Sequence, residues 1–313
     1  MLDVKRMKVL REVAQRGSFS AAAEELGYTQ PAVSQQISAL EREAGTRLLR
    51  RGARGVTLTD AGRALVEHSE AILTRLAAAE EELEAIAGLR GGRLRLASFP
   101  TAGATLVPLA IAIFSKRHPD VELSLVEAEP EDSLPALRAG ELDVALTFEY
   151  SPLPGSAYAP LYEEIELTHL LDDPMYVALP LDHPLAGRRT IRLEQLADES
   201  WSQADCAGLC GKMHVAACEA AGFEPRVGFQ SDDYNVVQGL VAAGVAISLL
   251  PELALSNLRD DIVIRSLGKK APVRRVAAAT LASSFRTPAT EAMLDVLAEA
   301  AREYEAQRRD LAA

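Results

Sequence analysis

Near the start of the chain the apolar residues Val4, Met7, Leu10 and Val13 recur at three-residue steps, which predicts a helix with one buried face that ends at Gly17. Ser18 and Ser20 offer caps for a short second helix through Ala21, Ala22, Ala23 and Leu26, with Gly27 as its C-terminal stop. Thr29 then offers an N-cap, and Pro31 sits in the first turn, where a missing N–H costs little. A third helix to about residue 44 buries Val33, Ile37 and Leu40 and turns Gln30, Ser34, Gln35 and Ser38 the other way. Two short helices joined by a tight turn, the second carrying amide and hydroxyl groups, suit the major groove of DNA. A surface helix of a small bundle would show the same amphipathicity, and the pattern alone leaves both open.

After Gly45, two β-prone runs flank a turn marked by Gly52 and Gly55, which predicts a hairpin with Arg50, Arg51 and Arg54 near its tip. From residue 60 to 89 the apolar steps Leu65, Ile72, Leu76, Ala79, Leu83 and Ile86 predict one long helix with a narrow seam of the kind that pairs with a second copy. His68 on that seam reads as a packed or partly exposed position rather than a ligand. Gly88, Gly91 and Gly92 mark a hinge. Beyond it strand runs at 94–97, 121–126 and 144–148 alternate with helical runs at 101–116 and 134–138, the pattern of a parallel α/β sheet. A second such unit runs from 175–179 through helices near 208–221 and 233–243 to 245–249, and 276–281 with a final helix after Pro288 closes the first.

The net charge of −12 argues against a nucleic-acid partner until it is divided along the chain. Residues 1–63 carry 11 lysines and arginines against 7 acids, and the remainder 22 against 38. A basic head on an acidic body places the phosphate contacts at one end. The opening residues run straight into an amphipathic helix, and no apolar run approaches the roughly 18 residues of a membrane span, so a cytoplasmic protein without a membrane partner is expected. Three cysteines, Cys206, Cys210 and Cys218, crowd one segment with His214, unlike the spread set of a secreted disulfide scaffold.

The stretches Gly17-Ser18-Phe19-Ser20-Ala21-Ala22-Ala23, Gln30-Pro31-Ala32-Val33-Ser34-Gln35-Gln36-Ile37, Leu40-Glu41, Arg51 and Leu58-Thr59-Asp60-Ala61-Gly62 together resemble the DNA-binding domain of LysR-type transcriptional regulators. Looser similarity covers the rest, including Phe114, Pro119, Gly140-Glu141-Leu142-Asp143 and Leu240-Val241-Ala242-Ala243-Gly244. The resemblance implies a winged helix-turn-helix over residues 1–59 and a dimerising linker helix over 60–90. It also implies a periplasmic-binding-protein-like α/β effector domain over 91–313, with one lobe at about 91–164 and 268–313 and the other at about 165–267. It implies promoter DNA as partner, a dimer or tetramer, and a small-molecule effector of unknown identity. Ser18, Thr29, Gln30, Pro31, Ser34, Gln35, Ser38, Arg51 and Arg54 are the expected DNA contacts, with the Gln35 amide able to pair with adenine.

Ligands of open α/β sheets sit beyond the strand ends at helix N-termini. Ser98, Phe99, Thr101 and Ala102 follow one such strand, and Ser231 and Asp232 open a helix in the other lobe, where ordinary capping would account for them equally well. Thr147, Phe148 and a loop with Ser202 and Gln203 complete the expected effector cleft, in which Asp232 and Glu149 disfavour a dicarboxylate. No phosphate loop, glycine fingerprint, Gly-x-Ser-x-Gly elbow or metal-spaced histidine cluster is present, so neither an enzyme nor a cofactor is expected. A solute-binding transport protein would explain the second half but has no use for a winged helix. A redox- or metal-responsive role of Cys206 and Cys210 stands as the alternative to an ordinary effector, against which Gly208 and Gly211 break the helix that would align them.

Overall fold

The computed structural model describes residues 1–52, 55–86, 92–151, 153, 161–205, 208–282 and 286–312. The chain divides into two compact units, the first formed by the residues up to Gly92 together with the short stretches 136–142 and 286–288, the second by most of the residues from Arg93 on.

In the first unit, helix α1 (Val4–Arg16) starts where the Asp3 carboxylate accepts from the Lys5 and Arg6 amides, and it ends at Gly17 with φ +63°. That left-handed turn suits glycine, since a Cβ would crowd the following carbonyl. Ser18 caps α2 (Phe19–Glu25) and Thr29 caps α3 (Gln30–Ala44), as the serine and threonine positions predict. Strands β1 (Leu49–Gly52) and β2 (Gly55–Leu58) form an antiparallel hairpin with Arg51 opposite Val56. Helix α4 (Asp60–Ile86) follows. Met7, Leu10, Val13, Phe19, Val33, Ile37, Leu40, Leu48 and Leu65 make one core, each fully buried side chain contributing roughly 2 kcal/mol. Glu41 tethers α3 to the hairpin by accepting from the amides of Leu48 (2.9 Å) and Leu49 (3.3 Å).

The second unit contains β3 (Arg93–Ser98), α5 (Pro100–Gly103), α6 (Leu106–Arg117), β4 (Glu122–Glu127), α7 (Pro130–Arg138), β5 (Val144–Ser151) and the long β6 (Ile165–Pro180). There follow β7 (Ser200–Gln203), α8 (Leu209–Ala220), β8 (Arg226–Gln230), α9 (Tyr234–Ala242), β9 (Ser248–Pro251), β10 (Ile262–Ser266), β11 (Val273–Leu281) and α10 (Pro288–Ala312). Strands run in the order β10-β6-β11-β5-β3-β4, with β9 also on β6 and a separate parallel pair β7-β8.

The expected purely parallel sheet is corrected here. Within the main sheet β4, β3 and β5 are parallel, whereas β11 lies antiparallel between β5 and β6. The reason is that the chain returns to the first lobe from the far side, so its last strand arrives in the opposite direction. The expected lobe boundary at 164/165 falls at the start of β6, which pairs with β11 through Pro174 and with β9 and β10 from Met175 onward and so belongs to both lobes. The helix expected over 101–116 breaks between Gly103 and Leu106, where the Thr105 hydroxyl donates to the Thr101 carbonyl oxygen at 2.7 Å. The segment expected as a loop at 202–203 is the end of β7. Among the described residues no helix is long and apolar enough to cross a membrane.

Candidate functional site

The first candidate surface lies on α3. Val33, Ile37 and Leu40 are buried, while Thr29, Gln30, Pro31, Gln35 and Ser38 are exposed and Ser34 is half-buried. Residues four apart share a helix face, so 30, 34 and 38 form one row and 31 and 35 its neighbour. Ser18 is half-buried and its Oγ accepts from the Ala21 amide, so this residue serves as a cap. The hydroxyl of Ser38 donates to the Ser34 carbonyl oxygen at 2.9 Å. Only the backbone of Arg51 is described, and Arg54 lies outside the described residues.

The second candidate is a cleft in the α/β unit, lined by both apolar and polar side chains. Of the ten residues expected there, Phe99, Thr101, Gln203, Ser231 and Asp232 line it. The other five stand behind its walls. Ala102 is buried, the Ser98 hydroxyl donates to the Phe99 carbonyl oxygen, and Thr147 Oγ1 lies 3.1 Å from Tyr162 Oη. Phe148 packs edge-on against Phe99 at 4.9 Å. Buried Ser202 faces away from the cleft because β7 alternates, sending its neighbour Gln203 in.

Pattern reading passed over the groups that dominate the cleft: Arg274, Asp173, Glu129, Tyr150 and Tyr234. Arg274 is 2% exposed, and its guanidinium donates to Asp173 Oδ2 at 2.6 and 2.9 Å and to Thr101 Oγ1 at 2.7 Å. It also lies 4.8 Å from the Phe99 ring centre and 5.2 Å from that of Phe148. Burial alone would lower its pKa, and Asp173 reverses this and keeps it raised. The other Asp173 oxygen accepts from the Leu253 amide at 3.0 Å, so β11, β6 and the turn after β9 meet at one ion pair. The available signal was the pair Arg274-Arg275 opening an otherwise apolar strand, where alternation sends one arginine inward.

Glu129 ends the β4-to-α7 connection, and burial pushes its carboxyl up to about 7, with Glu131, Asp232 and Glu127 adding to the rise and Arg274 opposing it. Tyr150 Oη lies 3.2 Å from Cys210 Sγ. Burial raises the pKa of both Tyr150 and Tyr234, so both phenols stay neutral. His214 packs edge-on against the fully buried Trp201 at 4.7 Å, and burial lowers it to about 4.

Cys206 lies outside the described residues. Cys210 and Cys218 both sit on α8, and burial pushes each thiol up to about 12, the opposite of the lowered value a reactive thiolate requires. Among the described residues no cluster of three or more metal-ligating side chains occurs.

Residues 4–63 match the family described as bacterial regulatory helix-turn-helix protein, lysR family, and residues 87–302 match the LysR substrate binding domain. The chain is 32% identical over 311 residues to the "Probable HTH-type transcriptional regulator LrrA" of Synechococcus elongatus, covering 97% of this chain and 99% of that protein. It is 32% identical over 249 residues to the RuBisCO operon transcriptional regulator of Allochromatium vinosum, covering 80% and 79% of the two chains. A full-length OxyR variant from Pseudomonas aeruginosa superposes with a TM-score of 0.72 at 25% identity, over 96% of this chain and 95% of that one.

Proposed function

The chain belongs to the LysR family of DNA-binding transcriptional regulators, which carry an effector-binding domain, and from that premise we propose which of its residues bind DNA and where its effector sits. Helix α3 enters the major groove, with Gln30 and Gln35 reading base edges and Thr29, Pro31, Ser34 and Ser38 around them. Ser18 and the hairpin arginines Arg51 and Arg54 hold the phosphate backbone. A small molecule in the cleft between the two lobes controls this binding, and the protein acts as a cytoplasmic regulator rather than an enzyme. Copies associate through α4, whose Ile72, Leu76 and Leu83 stay 40%, 46% and 65% exposed in the single chain. The observation that carries the reading is the exposed polar row of α3, set opposite a fully buried apolar one.

The test is a titration of the full chain with duplexes from its own upstream region in a gel-shift or anisotropy assay. Affinity falls steeply with salt, each phosphate neutralised adding about 0.9 to the log–log slope. Replacing Arg51 and Arg54 by Ala weakens binding to every duplex and flattens that slope, whereas Gln30→Ala or Gln35→Ala lowers discrimination by roughly 1–3 kcal/mol at one base pair. Unchanged titrations in both sets would exclude this orientation on DNA. A screen of metabolites of all charge types for a raised Tm tests the cleft, since a ligand of the folded state raises it.

A further inference from the structure

Resting on the reading of the cleft as the effector site, we infer that its ligand is a small organic cation, an ammonium group on an apolar body, with Glu129 as the residue that meets the charge.

Among the described residues, three groups in or beside the cleft suited to an anion are already engaged by carboxylates of the chain. The Arg274 guanidinium is held by Asp173 and Thr101. The Leu209 amide, at the N-terminus of α8, donates to Glu131 Oε1 at 2.9 Å. The Asn235 amide, at the N-terminus of α9, donates to Asp233 Oδ1 at 2.8 Å. Helix N-termini and buried arginines are where α/β clefts receive carboxylates and phosphates, so an anionic ligand at any of these three places would have to displace one of these bonds. It would also enter beside Glu129 and Asp232, like charge against like.

Glu129 presents the opposite situation. It lines the cleft, and its carboxylate has no hydrogen-bond partner among the described residues. The charged groups around it are Arg274 on β11, Glu131 on α7, Glu127 on β4 and Asp232 ahead of α9, with the cation already paired to Asp173. A ligand ammonium supplies the missing counter-charge. A second observation also points to a ligand: His214, 3% exposed and lining the same cleft, has a buried Nε2 without a partner among the described residues. A polar atom in that position costs free energy until a bound group satisfies it. The rest of the lining, including Phe99, Met175, Met213, Tyr234 and Leu249, suits an apolar body, and the aromatic faces favour a cation further.

The test is calorimetric titration and thermal shift on the full chain, using phenethylamine, its near-isosteric anion 3-phenylpropionate and the neutral 3-phenylpropan-1-ol. The amine is expected to bind at least about tenfold more tightly than either other probe, the ratio that a buried charge pair typically exceeds. With Glu129 titrating at about 7, its ionised fraction and hence the amine affinity rise about tenfold from pH 6 to pH 8. Glu129→Gln, which keeps the shape and removes a desolvated charge, abolishes both the preference and its pH dependence, and Asp232→Asn weakens it. Tighter binding of 3-phenylpropionate would overturn the inference and leave the effector cleft standing. Equal amine binding by wild type and Glu129→Gln would overturn it as well. Binding of none of the probes also overturns it, and the metabolite screen then decides the effector reading separately.

Discussion

Glu129 holds its proton up to about 7 in the folded chain, against 4.5 ordinarily, because burial disfavours the carboxylate. The folded state therefore binds a proton that the unfolded chain releases at lower pH. The stability linked to this group is complete below about 4.5 and is lost as pH rises through 7. His214 works in the other direction: lowered to about 4, it contributes stability that is complete above 6.5 and is lost as pH falls through 4. Replacing Glu129 by Gln leaves the histidine contribution in place. Urea unfolding of wild type and Glu129→Gln is thus expected to coincide near pH 4.5 and to diverge by pH 8, the variant being more stable by on the order of 2 kcal/mol. A variant no more stable than wild type at pH 8 would mean that water already solvates the carboxylate. None of this was legible from residue types, because a glutamate before a helix reads as a solvated cap and its burial depends on what α8 and β11 bring over it.

At the scale of elements, the junction of hairpin and linker helix explains why the run Leu58-Thr59-Asp60-Ala61-Gly62 is so recognisable. Thr59 Oγ1 accepts from the Gly62 amide at 3.0 Å and donates to the Arg47 carbonyl oxygen at 2.7 Å, capping α4 and pinning it to the turn before β1. A Cβ on Gly62 would overlap the Leu48 carbonyl oxygen, so the helix lies against the strand backbone at a distance only glycine allows. Gly62→Ala is expected to destabilise the head by about 1–3 kcal/mol, the cost of overpacking, despite the better helix propensity of alanine. A lower denaturation midpoint with an unchanged m-value would show it, and an equal or higher midpoint would refute the close approach. The helices of the head were legible because each carries its own caps and apolar period. The break between α5 and α6 was not, because Thr105 is compatible with a helix and the turn shows only in its backbone, at φ −124° and ψ −75°.

For the molecule as a whole, Ile72, Leu76 and Leu83 on α4 form an apolar stripe that stays 40%, 46% and 65% exposed among the described residues. Ile72→Glu would place an unpaired carboxylate in the seam of two such helices, so sedimentation is expected to shift toward the single-chain mass of 33.6 kDa and DNA affinity to fall at least about tenfold. An unchanged assembly would mean that copies meet elsewhere. This stripe, the basic head and the acidic body can be read from the chain directly, because periodicity and charge are properties of neighbours a few residues apart. So can the polar row of α3, since one helix displays it whatever it packs against. The cleft is different in kind. Its lining comes from residues 99–101, 129, 150, 175, 203–204, 210, 213–214, 231–232, 234, 237, 248–249 and 274, which are distant along the chain. Which of them face inward depends on β6 passing through both lobes and on β11 entering antiparallel between β5 and β6. That long-range pairing carries Arg274 to Asp173 and leaves Glu129 without a counter-ion of its own, so tertiary structure alone decided which charges the cleft offers a ligand.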